Sequence, residues 1–130
     1  MLMFRTILFA AVVLLLGSSV AFAQRLEIAE GVVTTGIVER VPVDAVESYS
    51  TTVGRLYFFT RIVGAVEETA VSHVWFYEDE EVARVTLPVR SSNWRTWSSK
   101  NVLPDWTGNW RVEVIDAKGY VLHEVTFTLF

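Results

Sequence analysis

From residue 26 to the C-terminus, apolar and polar positions alternate in short runs separated by turn residues. A period of two is the pattern of strands lying on a half-buried sheet. Thr52 to Val63 predicts one such strand, with Leu56, Phe58 and Thr60 on one face and Tyr57, Phe59 and Arg61 on the other. Val71 to Tyr77 predicts the next, with His73, Trp75 and Tyr77 opposite Val74 and Phe76. Large apolar groups on both of its faces place it centrally. In Val82 to Arg90, Ala83, Val85, Leu87 and Val89 oppose Arg84, Thr86 and Arg90. Pro88 lacks an N–H and argues for an edge or a bend there. Trp94 to Lys100 is a short extended segment. Asn109 to Asp116 sets Trp110, Val112 and Val114 against Arg111 and Glu113, and Tyr120 to Phe130 turns Val125, Phe127 and Leu129 inward. Gly64–Thr69, Glu78–Glu81, Asn101–Gly108 and Ala117–Gly119 separate these runs as turns or loops.

The N-terminal part is less regular. Leu26 to Val41 alternates imperfectly, with Gly31 and Gly36 as bulges or bends, and Pro42 to Ser50 reads as a loop. No stretch after residue 23 carries helical periodicity with caps. About seven short strands in one domain predict an all-β fold, an immunoglobulin-like β-sandwich of antiparallel strands. A small barrel is the alternative. Residues 24–50 supply its N-terminal strand and loop, and 51–130 its main part.

Residues 1–23 follow a different pattern. Arg5 is their only charge, Ile7 to Leu16 is an unbroken apolar run, and Ala21-Phe22-Ala23 is an A-x-A cleavage signal. This is the anatomy of a secretory signal peptide, with Gln24 as the first residue after cleavage and a periplasmic or secreted destination. An uncleaved N-terminal membrane anchor is the alternative. A signal-peptide helix would then precede the sandwich. The chain has no Cys, so an exported domain must hold together through its core rather than through disulfides.

Charge narrows the partners. The chain holds 15 acidic and 11 basic residues, a formal net charge of −4. Nucleic-acid binding needs clustered Lys and Arg to neutralise phosphates, which this balance does not offer. Stable membrane insertion is not expected once the signal is removed.

Enzyme signatures are nearly absent. There is no thiol nucleophile, no G-x-S-x-G elbow, no H-E-x-x-H and no glycine-rich phosphate loop. His73 and His123, fifty residues apart, are the only imidazoles. The expectation is a non-enzyme with no cofactor and no metal, in which His73 is a hydrogen-bonded residue of a half-buried strand. Glu78-Asp79-Glu80-Glu81 reads as a solvated acidic hairpin tip, because successive carboxylates on a tight turn point apart.

The sharpest chemical feature is the segment from Trp94 to Trp110. It interleaves Trp94, Trp97, Trp106 and Trp110 with Arg95, Lys100 and Arg111, beside Ser98 and Ser99. Trp and Arg anchor protein interfaces, and aromatic faces flanked by polar groups also stack on sugar rings. Trp110 falls on the core face by alternation. Trp94 and Trp97 face opposite ways, so at most one of them is exposed. Trp106, in a loop flanked by Pro104 and Gly108, is the foremost candidate for exposure. Arg95 is expected to pin the loop through buried hydrogen bonds. The candidate binding set is Trp97, Trp106, Arg95, Lys100, Tyr77 and His73.

Five pieces in order carry a family resemblance: L-Y-F-F-T at Leu56–Thr60, H-V-W-F-Y at His73–Tyr77, W-R-T-W-S-S-K at Trp94–Lys100, G-N-W-R-V-E-V at Gly108–Val114 and D-A-K-G at Asp116–Gly119. In these the chain resembles the bacterial domain-of-unknown-function family 2914. The resemblance implies a compact all-β module of exported or membrane-tethered bacterial proteins, and no activity. Two functional readings follow. One is an interaction module that binds an envelope protein or, alternatively, a cell-wall glycan. The other is a structural accessory domain with a free edge strand.

Overall fold

The computed structural model describes residues 26–130, so the signal-peptide helix and the cleavage site lie outside the described residues. Ten strands form three sheets there: β1 (Glu27–Thr34), β2 (Ile37–Val38), β3 (Val41–Pro42), β4 (Ser48–Tyr49), β5 (Arg55–Val63), β6 (Thr69–Tyr77), β7 (Glu80–Val89), β8 (Asn93–Asn101), β9 (Gly108–Asp116) and β10 (Val121–Leu129). The protein is all-β. One sheet has the order β1-β5-β8, the second β4-β10-β9-β6-β7, and β2-β3 is a small hairpin. The long strands pair antiparallel, while the short β4 joins β10 in parallel. Among the described residues no helix is long and apolar enough to cross a membrane.

The alternation of the sequence becomes the burial pattern. Leu56, Phe58 and Ile62 of β5 and Val33 of β1 share one core with Val71 and Trp75 of β6, Trp110, Val112 and Val114 of β9, and Phe127 and Leu129 of β10. β6 is central, between β7 and β9, and β7 with its Pro88 is an edge, as the residue pattern indicates. Trp75 is fully buried, in edge-to-face contact with Phe58 across the sheets and with Phe127 along its own sheet. Such pairs add about 0.5–1.5 kcal/mol each beyond their burial.

The structure corrects the expected pattern in three places. The strand expected from Thr52 starts at Arg55, because Thr51–Val53 forms a 3-10 turn. Ser50 caps that turn by accepting from the Thr52 N–H, and Gly54 closes it at φ 72°, where glycine carries no Cβ penalty. The β1 bulge falls between Ile28 and Glu30 rather than at Gly31. Gly31 instead permits close approach: a Cβ there would stand 2.7 Å from the His123 ring on β10. Finally, the segment expected as a loop from Pro42 to Ser50 contains β4 and the end of the β2-β3 hairpin. Asp44 fastens that segment by accepting from Thr34 Oγ1 at 2.7 Å, Thr35 N–H at 2.8 Å and Thr35 Oγ1 at 2.6 Å. Burial raises the Asp44 carboxyl, but these hydrogen bonds outweigh it and leave its pKa lowered.

Candidate functional site

The candidate residues divide into three groups that do not meet. His73 lies at the centre of the core, fully buried. Its Nε2 is 3.1 Å from Thr60 Oγ1 and its Nδ1 is 2.7 Å from Ser98 Oγ. The neighbouring bonds assign the protons. Thr60 Oγ1 donates to the Thr96 carbonyl at 3.1 Å, so it accepts from Nε2–H. With the ring neutral and its proton on Nε2, Nδ1 accepts from the Ser98 hydroxyl, whose oxygen accepts in turn from Trp75 Nε1–H at 3.1 Å. Each donor has one acceptor, and the chain of bonds ties β6 to β5 and β8 across the core. Burial holds the imidazole neutral, with its pKa lowered from 6.5 to about 3. The ring is a structural cross-link between sheets, with every polar atom satisfied. His123 sits in the same row of the same sheet, but both imidazoles pair in register with Val114, which stands between them. The two cannot act as a dyad.

Tyr77, Trp106 and Lys100 form the second group, at one end of the core. Tyr77 stacks on Trp106 at 5.7 Å and 15°, and both rings pack against Trp110. Tyr77 Oη donates to the Thr107 carbonyl at 2.7 Å, and Trp110 Nε1 donates to the Trp106 carbonyl at 3.0 Å. Lys100 Nζ lies 5.0 Å from the Trp106 ring. Trp106 is half-buried and closes the core, contrary to the expectation that it is the exposed tryptophan. Its loop has an aromatic floor to fold onto, which its Pro and Gly flanks do not disclose.

Arg95 and Trp97 form the third group, on the outer face of the three-stranded sheet. Trp94 turns inward toward the core, and Trp97 turns outward with 37% of its surface exposed. Arg95 is exposed, and among the described residues it makes no side-chain hydrogen bond or ion pair. The expected buried pinning role is therefore wrong: Arg95 shares the outward phase of the strand with Trp97, and the loop is held by backbone acceptors at Trp106 and Thr107. In register, Trp97 lies beside Phe59 and Phe59 beside Val32, while Arg95 lies beside Arg61. Phe59 is only 1% exposed although it faces away from the core, so this outer face carries an apolar centre of its own. Sequence reasoning missed Phe59. The signal is the Phe58-Phe59 pair, since adjacent strand residues point to opposite faces and one ring must lie outside.

The outer face of the five-stranded sheet is different in kind. Arg111 lies 4.1 Å over the Phe76 ring and pairs with Asp79 at 2.6 Å and Glu113 at 3.5 Å. Arg84 pairs with Glu81 at 2.7 Å. Glu78 turns back to accept from the Asn109 N–H at 2.9 Å. All four residues of the acidic tip are exposed, as expected, and three of their carboxylates in addition take separate partners. Among the described residues no three His, Asp or Glu side chains converge as metal ligands. An open groove of about 550 Å³ runs over this face, lined by Glu47, Asp79, Arg111, Glu124 and Thr126. Its one cation is already paired.

No curated protein matches the chain. Residues 68–129 match a family model described as "Protein of unknown function (DUF2914)". The match takes in β6 to β10 and four of the five resembling pieces; Leu56–Thr60 precedes it. Over residues 68–129, a little under half of its length, the chain is therefore similar to the DUF2914 family, as the resembling pieces indicate.

Proposed function

We propose that the protein is a non-catalytic interaction module of the bacterial envelope that binds a protein partner through the outer face of β5 and β8. The observation that carries this reading is Trp97, exposed on that face beside buried Phe59 and on the same side of β8 as Arg95, which has no side-chain partner among the described residues. A rigid aromatic with a free guanidinium is the usual make-up of an interface anchor. The immunoglobulin-like sandwich belongs to the same reading. It is supported by the seven long strands, three in one sheet and four in the other, with the chain crossing between them after β5, β7 and β8. Sandwich domains commonly present sheet faces and edges to partners, which is an argument by analogy of fold.

The test is capture from crosslinked envelopes by the full-length protein, compared with Trp97→Ser, Arg95→Glu and the distant surface control Val66→Ser. The reading expects one protein retained by the parent and the control and lost with both face variants. Equal retention by all four proteins would contradict it. Glycan binding is the alternative, favoured by the same Trp97 ring with Ser99 nearby; quenching of Trp97 fluorescence by soluble cell-wall fragments would support it instead. Export is tested by intact mass, expected to begin at Gln24; a mass that retains Met1 would contradict cleavage.

A further inference from the structure

Among the described residues the two larger sheets have four edges, and three are guarded. β1 carries a bulge at Ile28–Glu30. β4 has two residues. β7 carries Pro88 and a register shift opposite Trp75–Phe76. Bulges, prolines and short length are the devices by which edges avoid pairing with other chains. β8 has none of them. Its nine residues pair with β5 without a register shift from Asn93 to Asn101, and among the described residues no strand is bonded along its other side.

Charge is distributed unevenly around this edge. Of the 15 acidic residues in the chain, none lies in β5 or β8, whereas Arg55, Arg61, Arg95 and Lys100 do. Arg61 is 4.0 Å from Glu30, Arg55 bonds the neutral Asn101, and Arg95 has no side-chain partner among the described residues. The only guard on β8 is therefore positive charge. It repels a second β8 and attracts an acidic strand.

We propose that β8 is an acceptor for an extended, acidic segment of another protein, which adds to the sheet as a fourth strand beside β8. The proposal rests on the interaction-module reading and specifies its partner. A polypeptide is favoured over a glycan or an anionic lipid because an open strand edge presents N–H and C=O groups at strand spacing, which another backbone satisfies. Arg95 would meet a carboxylate of the incoming strand, and Trp97 would cover its outward side chains.

The probes are pools of ten-residue peptides alternating Val or Thr with Glu, the same pools with Lys in place of Glu, and the Glu pools with alternate amides N-methylated. Binding to the full-length protein is measured by fluorescence anisotropy, and its location by amide hydrogen exchange. The Glu pools are expected to bind at least tenfold more tightly than either other set, with slowed exchange confined to β8. Arg95→Glu is expected to reverse the preference for Glu over Lys. Equal binding of N-methylated and unmodified Glu peptides would overturn strand addition, as would protection away from β8, absence of binding, or dimerisation of the protein through β8. Retention of the envelope partner in a Trp97-dependent way, with failure of the peptide test, would refute this inference and leave the interaction module standing.

Discussion

Ser98 shows how one small residue can hold two sheets together. Its hydroxyl accepts from Trp75 and donates to His73, so Ser98→Ala strands two buried polar groups at once. The expected loss is about 2–4 kcal/mol, read as a lower urea midpoint, because each buried unsatisfied group costs about 1–3 kcal/mol. His73 adds a pH dependence. Its folded-state pKa of about 3 lies below the ordinary 6.5. Between those values the unfolded chain binds more protons, so stability falls as pH drops through the window from 6.5 toward 3. The slope is about 1.4 kcal/mol per pH unit at most from this group. His73→Gln is expected to lower stability at pH 7 but to flatten the decline between pH 6 and 4 in urea titrations. An unchanged slope would remove His73 as its source. The two tryptophans should separate in the same assay. Trp106→Ala loses stacking on Tyr77 and Trp110 and is expected to cost about 2–4 kcal/mol, whereas Trp97→Ala is expected to cost about 1 kcal/mol or less.

Elements succeed or fail by what surrounds them. The phase of β6, β7, β9 and β10 is legible in the sequence because each strand has one wet face and one core face, or two apolar ones in the case of β6. For Arg95, single-strand alternation gives the face but not what lies over that face. The same limit applied to Trp106, where a loop folds onto a floor built by β6 and β9. The two-residue strands β2, β3 and β4 carry no period to detect. The β6–β7 turn places Glu78 and Asp79 at φ 46° and 65°, and Glu78 reaches across to the start of β9. Gly108 stands at φ 125°, and a Cβ there would collide with the Glu78 carboxylate. Gly108→Ala is therefore expected to destabilise the protein by about 2–3 kcal/mol. A thermal midpoint equal to the parent's would show that the Glu78 contact is dispensable.

At the scale of the molecule, the family match and the candidate surface overlap only in part. Residues 68–129 provide β6 to β10, including β8, but β5, the strand on which β8 is laid, precedes the match. The face that carries Trp97 is thus assembled from one strand inside the match and one outside it, which is why its apolar centre is not visible in either segment alone. The two outer faces also differ as wholes: one has its arginines Arg84 and Arg111 paired with carboxylates, while on the other Arg95 has no partner among the described residues and sits beside an exposed ring. The direct measurement is to place a photo-crosslinking residue at position 97, at position 99 and, as an exposed control, at position 120, and to irradiate living cells. The account expects one discrete protein adduct from positions 97 and 99, abolished by Arg95→Glu, and none from position 120. The absence of any adduct at 97 and 99, or the same adduct at all three positions, would contradict it.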